Sequence, residues 1–478
     1  MTESGWGLPQ PKTLTRTNET GDNALPVLCG QALSQSKTYR NGHMPNPMKR
    51  FSTAEFGLKA GTAVIDITPP LEVGLLTSSV RGEWKPFQSV RSPLKARALV
   101  LECGGQRLAL VSLDLLGLTS VTVGNWLRFR RALARGTSNL FHPDNIVITC
   151  THTHNAPESV GVTNLYRTPQ FRVWIEQLRR NLSQVLINAQ ATARECTVSL
   201  ATTELNNFSL NRRIPTDAGI VMSDTLQPIA PELFRRKPID RRVHSLQFNG
   251  LDGSTVATVV HAICHPVHEM CLPHISSDFP GEMCRSLEEQ FDLGTALFFN
   301  GATGDVNPPT VSEGPKAALL HGEALARVVT LSIPQRQTVK TENFHFHRRT
   351  INLPVRSEKG RPILQTCPAY LSALRLGDLA IVFLPGEIFS ETALAIEEVS
   401  LFRNTIIVGF AESSIGYVPP KHVFQEGGYE IGPGKWSFLQ EHAESILRNE
   451  ANNLLKSLVG RSKESNSLMV RRKVAVKV

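Results

Sequence analysis

Four segments place metal-capable or acid-base side chains directly after apolar runs, where loops carried on a rigid sheet bring reactive groups together. The first, NIVITCTHTHNAP, holds His152 and His154 two residues apart. On an extended chain, side chains two apart share a face, so one imidazole can bind a metal while the other faces a substrate. The second segment is dense in histidine: His261, His265, His268, His274 and Asp278 lie within TVVHAICHPVHEM and LPHISSDFPGEM. No HExxH pair occurs there, which rules out a thermolysin-type helix and leaves a distributed site. Only His265, at a strand end before Pro266, stands above an ordinary core or surface role. The third, ALFFNGATGDVNPP, is a strand running into a turn with Asp305 and Asn307. Gly301 and Gly304 allow close backbone approach and can aim amides at an anion or a carbonyl oxygen, but the Lys-Ser/Thr ending of a phosphate loop is missing. The fourth pairs LAIVFLPGEIFSET with TIIVGFAESSIGYVPP, so that Glu387 and Tyr417 each follow an apolar strand. Glu387 can complete a His/His/Glu zinc set, or serve as the first-turn acid of the helix that follows.

These groups need a scaffold of alternating elements. GLKAGTAVIDITPP reads as a strand stopped by Pro69 and Pro70, and ARALVLECGGQRLALVSLDLLG as two strands joined by a Gly104-Gly105 hairpin turn. Residues 145 to 150 form a short strand ahead of THTHNAP, and the spacing of Val173, Leu178, Leu182, Val185 and Leu186 predicts a helix over 170 to 191. Further strands are expected at 243 to 248, 255 to 264, 296 to 299, 345 to 353, 371 to 376, 379 to 384 and 405 to 409. Helices are expected at 280 to 291, 316 to 330, 389 to 400 and 438 to 458. No linker or charge run divides residues 57 to 458, so the expected fold class is α/β, a mixed α+β single large catalytic domain of mixed β-sheets covered by helices. Residues 1 to 56 read as a poorly ordered leader and 459 to 478 as a basic flexible tail.

The 478 residues are 41% hydrophobic and 19% charged, values of a globular chain and not of a disordered or collagen-like one. Asp114, His261 and His265 interrupt the longest apolar runs, so no transmembrane segment is expected. Seven of the nine net positive charges belong to residues 1 to 56 and 461 to 478. The body is nearly neutral and only 6% of the whole chain is aromatic, which argues against a nucleic-acid binder. Eight scattered cysteines without CxxC spacing fit reduced thiols. With no visible signal peptide, a cytoplasmic location is expected.

Taken in order, the motifs resemble those of the neutral/alkaline non-lysosomal ceramidases, zinc amidases that cleave the N-acyl bond of ceramide. THTHNAP is similar to that family's His-Thr-His-Ser-Gly-Pro segment, NRR at 211 to 213 to its Asn-Arg segment, and ICHPV to its Asn-His-Pro segment. SSDFPG, FLPGE and GYVPP with the following EGGYEIGP resemble its later segments. The likeness spans residues 57 to 458, without the family's immunoglobulin-like C-terminal domain. It implies that His152, His265, Glu387 and Tyr417 bind Zn2+ and that His154, Arg212 and Tyr429 surround the scissile carbonyl of a small-molecule or lipid-like N-acyl substrate, attacked by zinc-activated water. Asn307 stands where the family has a serine often assigned as nucleophile, so that route is closed here. Two other readings are an esterase on a non-ceramide substrate and a catalytically silent binding or structural protein of the same fold. No nucleic-acid partner is expected, weak contact with a membrane surface is allowed, and the oligomeric state is left open.

Overall fold

The strands at Lys95–Cys103 and Gln106–Leu113 pair from Ala96 with Leu113 to Cys103 with Gln106. The turn between them is Gly104-Gly105, both at positive φ (56° and 78°), the backbone that a two-residue hairpin following the strand twist requires. This is a computed structural model describing residues 57–74, 86–226, 229–235, 239–356 and 366–459. The expected leader, and the expected tail after Val459, lie outside the described residues.

The hairpin belongs to a nine-stranded mixed sheet. Its members in chain order are β1 (Lys59–Asp66), β2 (Lys95–Cys103), β3 (Gln106–Leu113), β4 (Ile146–Cys150), β5 (Arg194–Glu204), β6 (Arg242–Gly250), β7 (Thr255–Ala262) and β8 (Thr295–Asn300), with Gln337–Val339 pairing alongside β5. The spatial order is β8-β7-β6-β5-β1-β2-β3-β4. A second sheet has the order β9 (His345–Pro354), β10 (Thr366–Leu376), β11 (Leu379–Phe383) and β12 (Asn404–Val408).

Side-chain alternation stacks these sheets. On β2, Ala96, Ala98 and Val100 face the helices Trp126–Gly136 and Pro169–Ala191, while Leu99 and Leu101 face the second sheet, meeting a layer that includes Leu374, Ile381, Phe383 and Val408. A further pair of helices, Asp278–Glu289 and Pro315–Ser332, covers the β6-β7-β8 end. The helices Ser390–Val399 and Ala443–Val459 cover the outer face of the second sheet. The outcome is a four-layer α/β/β/α arrangement, a mixed α/β fold in which every strand layer has its apolar faces covered. Strands buried on both faces read as continuous apolar runs, as β4 and β11 do. No helix among the described residues is long and apolar enough to cross a membrane.

The helix Trp126–Gly136 and the strand β5 are not among the expected elements. The helix is masked by its four arginines; only Asn125, whose side chain accepts from the Arg128 amide, marks its start. β5 alternates exposed and buried residues only in part, because its middle is covered on both faces.

Candidate functional site

The site lies where loops leave β4, β7, β8, β11 and β12 at one end of the two sheets. β4 ends at Cys150, and His152 adopts φ 71°, a left-handed backbone uncommon for a residue with a side chain. The expectation of an extended His152-Thr153-His154 segment is therefore corrected: a turn, not strand alternation, brings the two rings to 5.0 Å. The Thr151 amide donates to Leu113 and the His152 amide to Leu115, which hold the strained turn in place. Phe410, itself at φ 52°, stacks on His152 with ring centroids 4.0 Å apart.

Both loop histidines are tied to one residue that the motifs did not single out. Asn300, at the end of β8 and wholly buried, donates through Nδ2 to the carbonyls of Thr151 (3.1 Å) and Cys264 (3.0 Å), the residues before His152 and His265. Its only signal in sequence is a polar residue closing the apolar run LFFN.

Glu387 does not open a helix. It sits in a two-residue parallel pair, Glu387 opposite Tyr417 and Ile388 opposite Val418, while the helix begins at Ser390. Both short strands are entered through glycines at positive φ, Gly386 (80°) and Gly416 (70°). A Cβ on Gly386 would come within 2.4 Å of the Gly416 carbonyl oxygen, so no other residue fits.

The side chains of His152, His265 and Glu387 converge. Glu387 Oε2 lies 3.3 Å from His265 Nε2 and 3.7 Å from His152 Nε2, near the ~3.3 to 3.5 Å edge of a tetrahedron with zinc-ligand bonds of ~2.0 to 2.2 Å. The outer nitrogens are anchored: His152 Nδ1 to the Leu116 carbonyl (2.6 Å), His265 Nδ1 to the Val306 carbonyl (3.0 Å), the arrangement that fixes a metal-binding imidazole. His154 also belongs to the cluster, since nitrogens of His152, His154 and His265 lie within 4.8 Å of one another. Its ring makes no hydrogen bond among the described residues, and Nε2 is buried without a partner. Glu387 Oε2 is likewise buried and unpartnered.

Electrostatics point the same way. Burial pushes the three imidazoles well below the usual histidine range, with Glu387 opposing this at His152. Burial also raises Glu387, against the pull of His152, Arg212 and Tyr417. These are neutral imidazoles and a carboxylate short of positive charge, a donor set that a dication satisfies.

Arg212 closes the other side. Nη2 donates to the Tyr417 hydroxyl (2.8 Å), Nε to Glu430 Oε1 (2.8 Å) and Nη1 to Asn307 Oδ1 (3.3 Å); Nη1 also lies 3.5 Å from His265 Nε2. Burial alone would lower the Arg212 pKa, but Tyr417, Glu430 and Glu387 raise it well above its ordinary value. Tyr417 is raised by burial against the pull of Arg212. Tyr429 packs edge-on against Tyr417 (5.8 Å), under the Arg212 guanidinium (6.0 Å), and stacks on Trp436 (5.7 Å). Glu430, within the EGGYEIGP segment, counters both Arg212 and Arg213 and is needed to hold Arg212 in place.

Other singled-out residues have different duties. The Gly-rich turn is not an anion cradle: the Gly301 amide donates to Ala262 and the Gly304 amide to Ile388. Asp305 accepts from the Ser390 amide and hydroxyl and from Asn211, which joins the turn to the helix start. His261 contacts the Ile407 carbonyl, His268 bonds Thr310 and His321, and His274 bonds Glu269. Asp278 caps locally, accepting from the Glu269 and Phe279 amides.

No protein-family model and no curated protein sequence matches the chain. Solved structures do. Neutral ceramidase from Pseudomonas aeruginosa superposes with a TM-score of 0.69 at 15% identity, over 84% of this chain and 75% of that one. A ceramidase complexed with C2 gives 0.68 at 16% identity with the same coverage. The chain has the fold of neutral ceramidase, the fold that its ordered motifs imply.

Proposed function

We propose that the protein is a zinc-dependent amidohydrolase acting on an N-acyl, lipid-like substrate. The observation that carries this reading is the buried, unpartnered Glu387 Oε2 facing two anchored imidazoles at 3.3 and 3.7 Å. A sealed carboxylate oxygen without a hydrogen bond is costly, and a cation removes the cost. His152, His265 and Glu387 would hold the zinc, with the Tyr417 hydroxyl as a weaker fourth group. Zinc bound there supplies a Lewis acid that lowers the pKa of water towards 7 and polarises a carbonyl.

The chain's own residues handle the rest. His154, neutral and untethered, is suited to accept a proton and return it to a leaving nitrogen. Arg212 keeps its charge because Glu430 stands behind it, so it can orient an acceptor group of the substrate and stabilise negative charge that develops on it. Its bond to Tyr417 holds the phenol beside Glu387. Tyr429, stacked on Trp436, lies at the same face. The fold likeness to two ceramidases favours a fatty N-acyl substrate over a short one.

The test is a panel of N-acyl sphingoids, short N-acyl amino acids and aryl esters, each with added zinc and with a chelator. Zinc-dependent release of fatty acid from the N-acyl sphingoids is expected. Faster zinc-dependent cleavage of esters would move the assignment to an esterase, and inactivity throughout, in metal-loaded and folded protein, would favour a silent binding protein.

A further inference from the structure

Asn307 occupies a place that none of these roles uses. Its backbone is held in a two-residue antiparallel pair, Val306 with Asn211 and Asn307 with Leu210, immediately after the carbonyl that anchors His265. Its side chain is 2% exposed. A guanidinium only donates, so the contact with Arg212 Nη1 requires Oδ1 to face the arginine and turns the NH2 group away from it. No group among the described residues accepts from Nδ2. It is a donor with a fixed direction, held by the arginine whose Nη1 also lies 3.5 Å from His265 Nε2.

We propose that Asn307 Nδ2 donates a hydrogen bond to the carbonyl oxygen of the bound substrate, making it a binding and oxyanion-stabilising residue. This rests on the N-acyl hydrolase reading above. A hydroxyl at this position could rotate and either donate or accept; a carboxamide locked by Arg212 can only donate. The site therefore selects an acceptor, a carbonyl, over a donor. Because Arg212 and the short strand pair already hold the amide, little rotamer freedom remains to be lost on binding, the preorganisation that makes such donors effective.

The probe is octanamide, a neutral carbonyl ligand, titrated calorimetrically into the full-length chain with chelator present so that no turnover interferes. Asn307→Asp keeps the shape and the Arg212 contact but replaces the donor with an acceptor; Asn307→Ala removes the group. Each variant should weaken binding about tenfold or more, equivalent to about 1.4 kcal/mol. In the metal-loaded enzyme each should lower kcat/KM by about 10²-fold, chiefly in kcat, with metal content unchanged. Wild-type binding that both variants retain within twofold, or no binding to the wild type, overturns the assignment. The two levels separate cleanly: binding lost in the variants without any N-acyl cleavage by the wild type keeps the donor and rejects the hydrolase, whereas equal cleavage by all three proteins does the reverse.

Discussion

Two buried glutamates, each beside histidine, behave in opposite ways. Glu269 is wholly buried and saturated: Arg91 grips both its oxygens, the Ser276 hydroxyl donates at 2.7 Å and His274 Nε2 approaches to 2.5 Å. Glu387 has imidazoles of similar type close by, but no arginine salt bridge, and one oxygen is unpartnered. The first carboxylate is neutralised by an arginine in direct contact; the second has two imidazoles beside it and feels the Arg212 charge without a salt bridge among the described residues. Histidine density is a poor guide between them. What distinguishes the two clusters is whether the carboxylate's remaining valences are filled.

Removing the donors at Glu387 should have the largest effect. His152→Ala with His265→Ala should abolish metal binding and hydrolysis together, measured as elemental zinc and fatty acid release. His154→Ala should keep the metal and slow hydrolysis by about 10²- to 10⁴-fold, the range for a proton-transfer group; loss of zinc in this variant would move His154 into the ligand set, where its distances to His152 and His265 also allow it. Asn300→Ala should reduce zinc affinity or activity by about 10- to 100-fold, as is usual for groups that orient metal ligands, because it releases the loops of His152 and His265 at once.

At the saturated cluster the effects should fall on stability. Arg91→Ala leaves Glu269 buried with less counter-charge and should cost about 3 to 5 kcal/mol in denaturant unfolding, with zinc per folded chain unchanged. The last effect concerns pH. Burial, with Glu269 adding to it, pushes Asp278 up to about 7. An acid raised in the folded state binds more protons there than in the unfolded chain, so stability should decline as pH rises from about 4 to 7, by at most about 1.4 kcal/mol per pH unit. Asp278→Asn should flatten that slope in unfolding curves taken at pH 5 and pH 8.

Much of this architecture is readable from sequence because strands buried on both faces announce themselves as apolar runs and the Gly104-Gly105 turn dictates its hairpin. The convergence of His152, His265, Glu387 and Tyr417 is harder to see: these residues lie up to 265 positions apart, and only the order of their motifs links them. Two features stay hidden for physical reasons. The pairing of Glu387 with Tyr417 depends on two positive-φ glycines that also suit any loop. Asn300 acts through its side-chain amide on two distant carbonyls, which no local pattern records. The Gly-rich turn misleads in the other direction, since its glycines serve close packing and its amides are consumed within the protein.

The most direct test is calorimetric titration of zinc into chelator-stripped, untagged protein. One tight site per chain is expected in the wild type, weakened in Glu387→Ala and absent in the His152→Ala, His265→Ala double variant. A wild type that binds no zinc, or a double variant that still binds one equivalent tightly, would contradict the assignment of these residues as the metal centre.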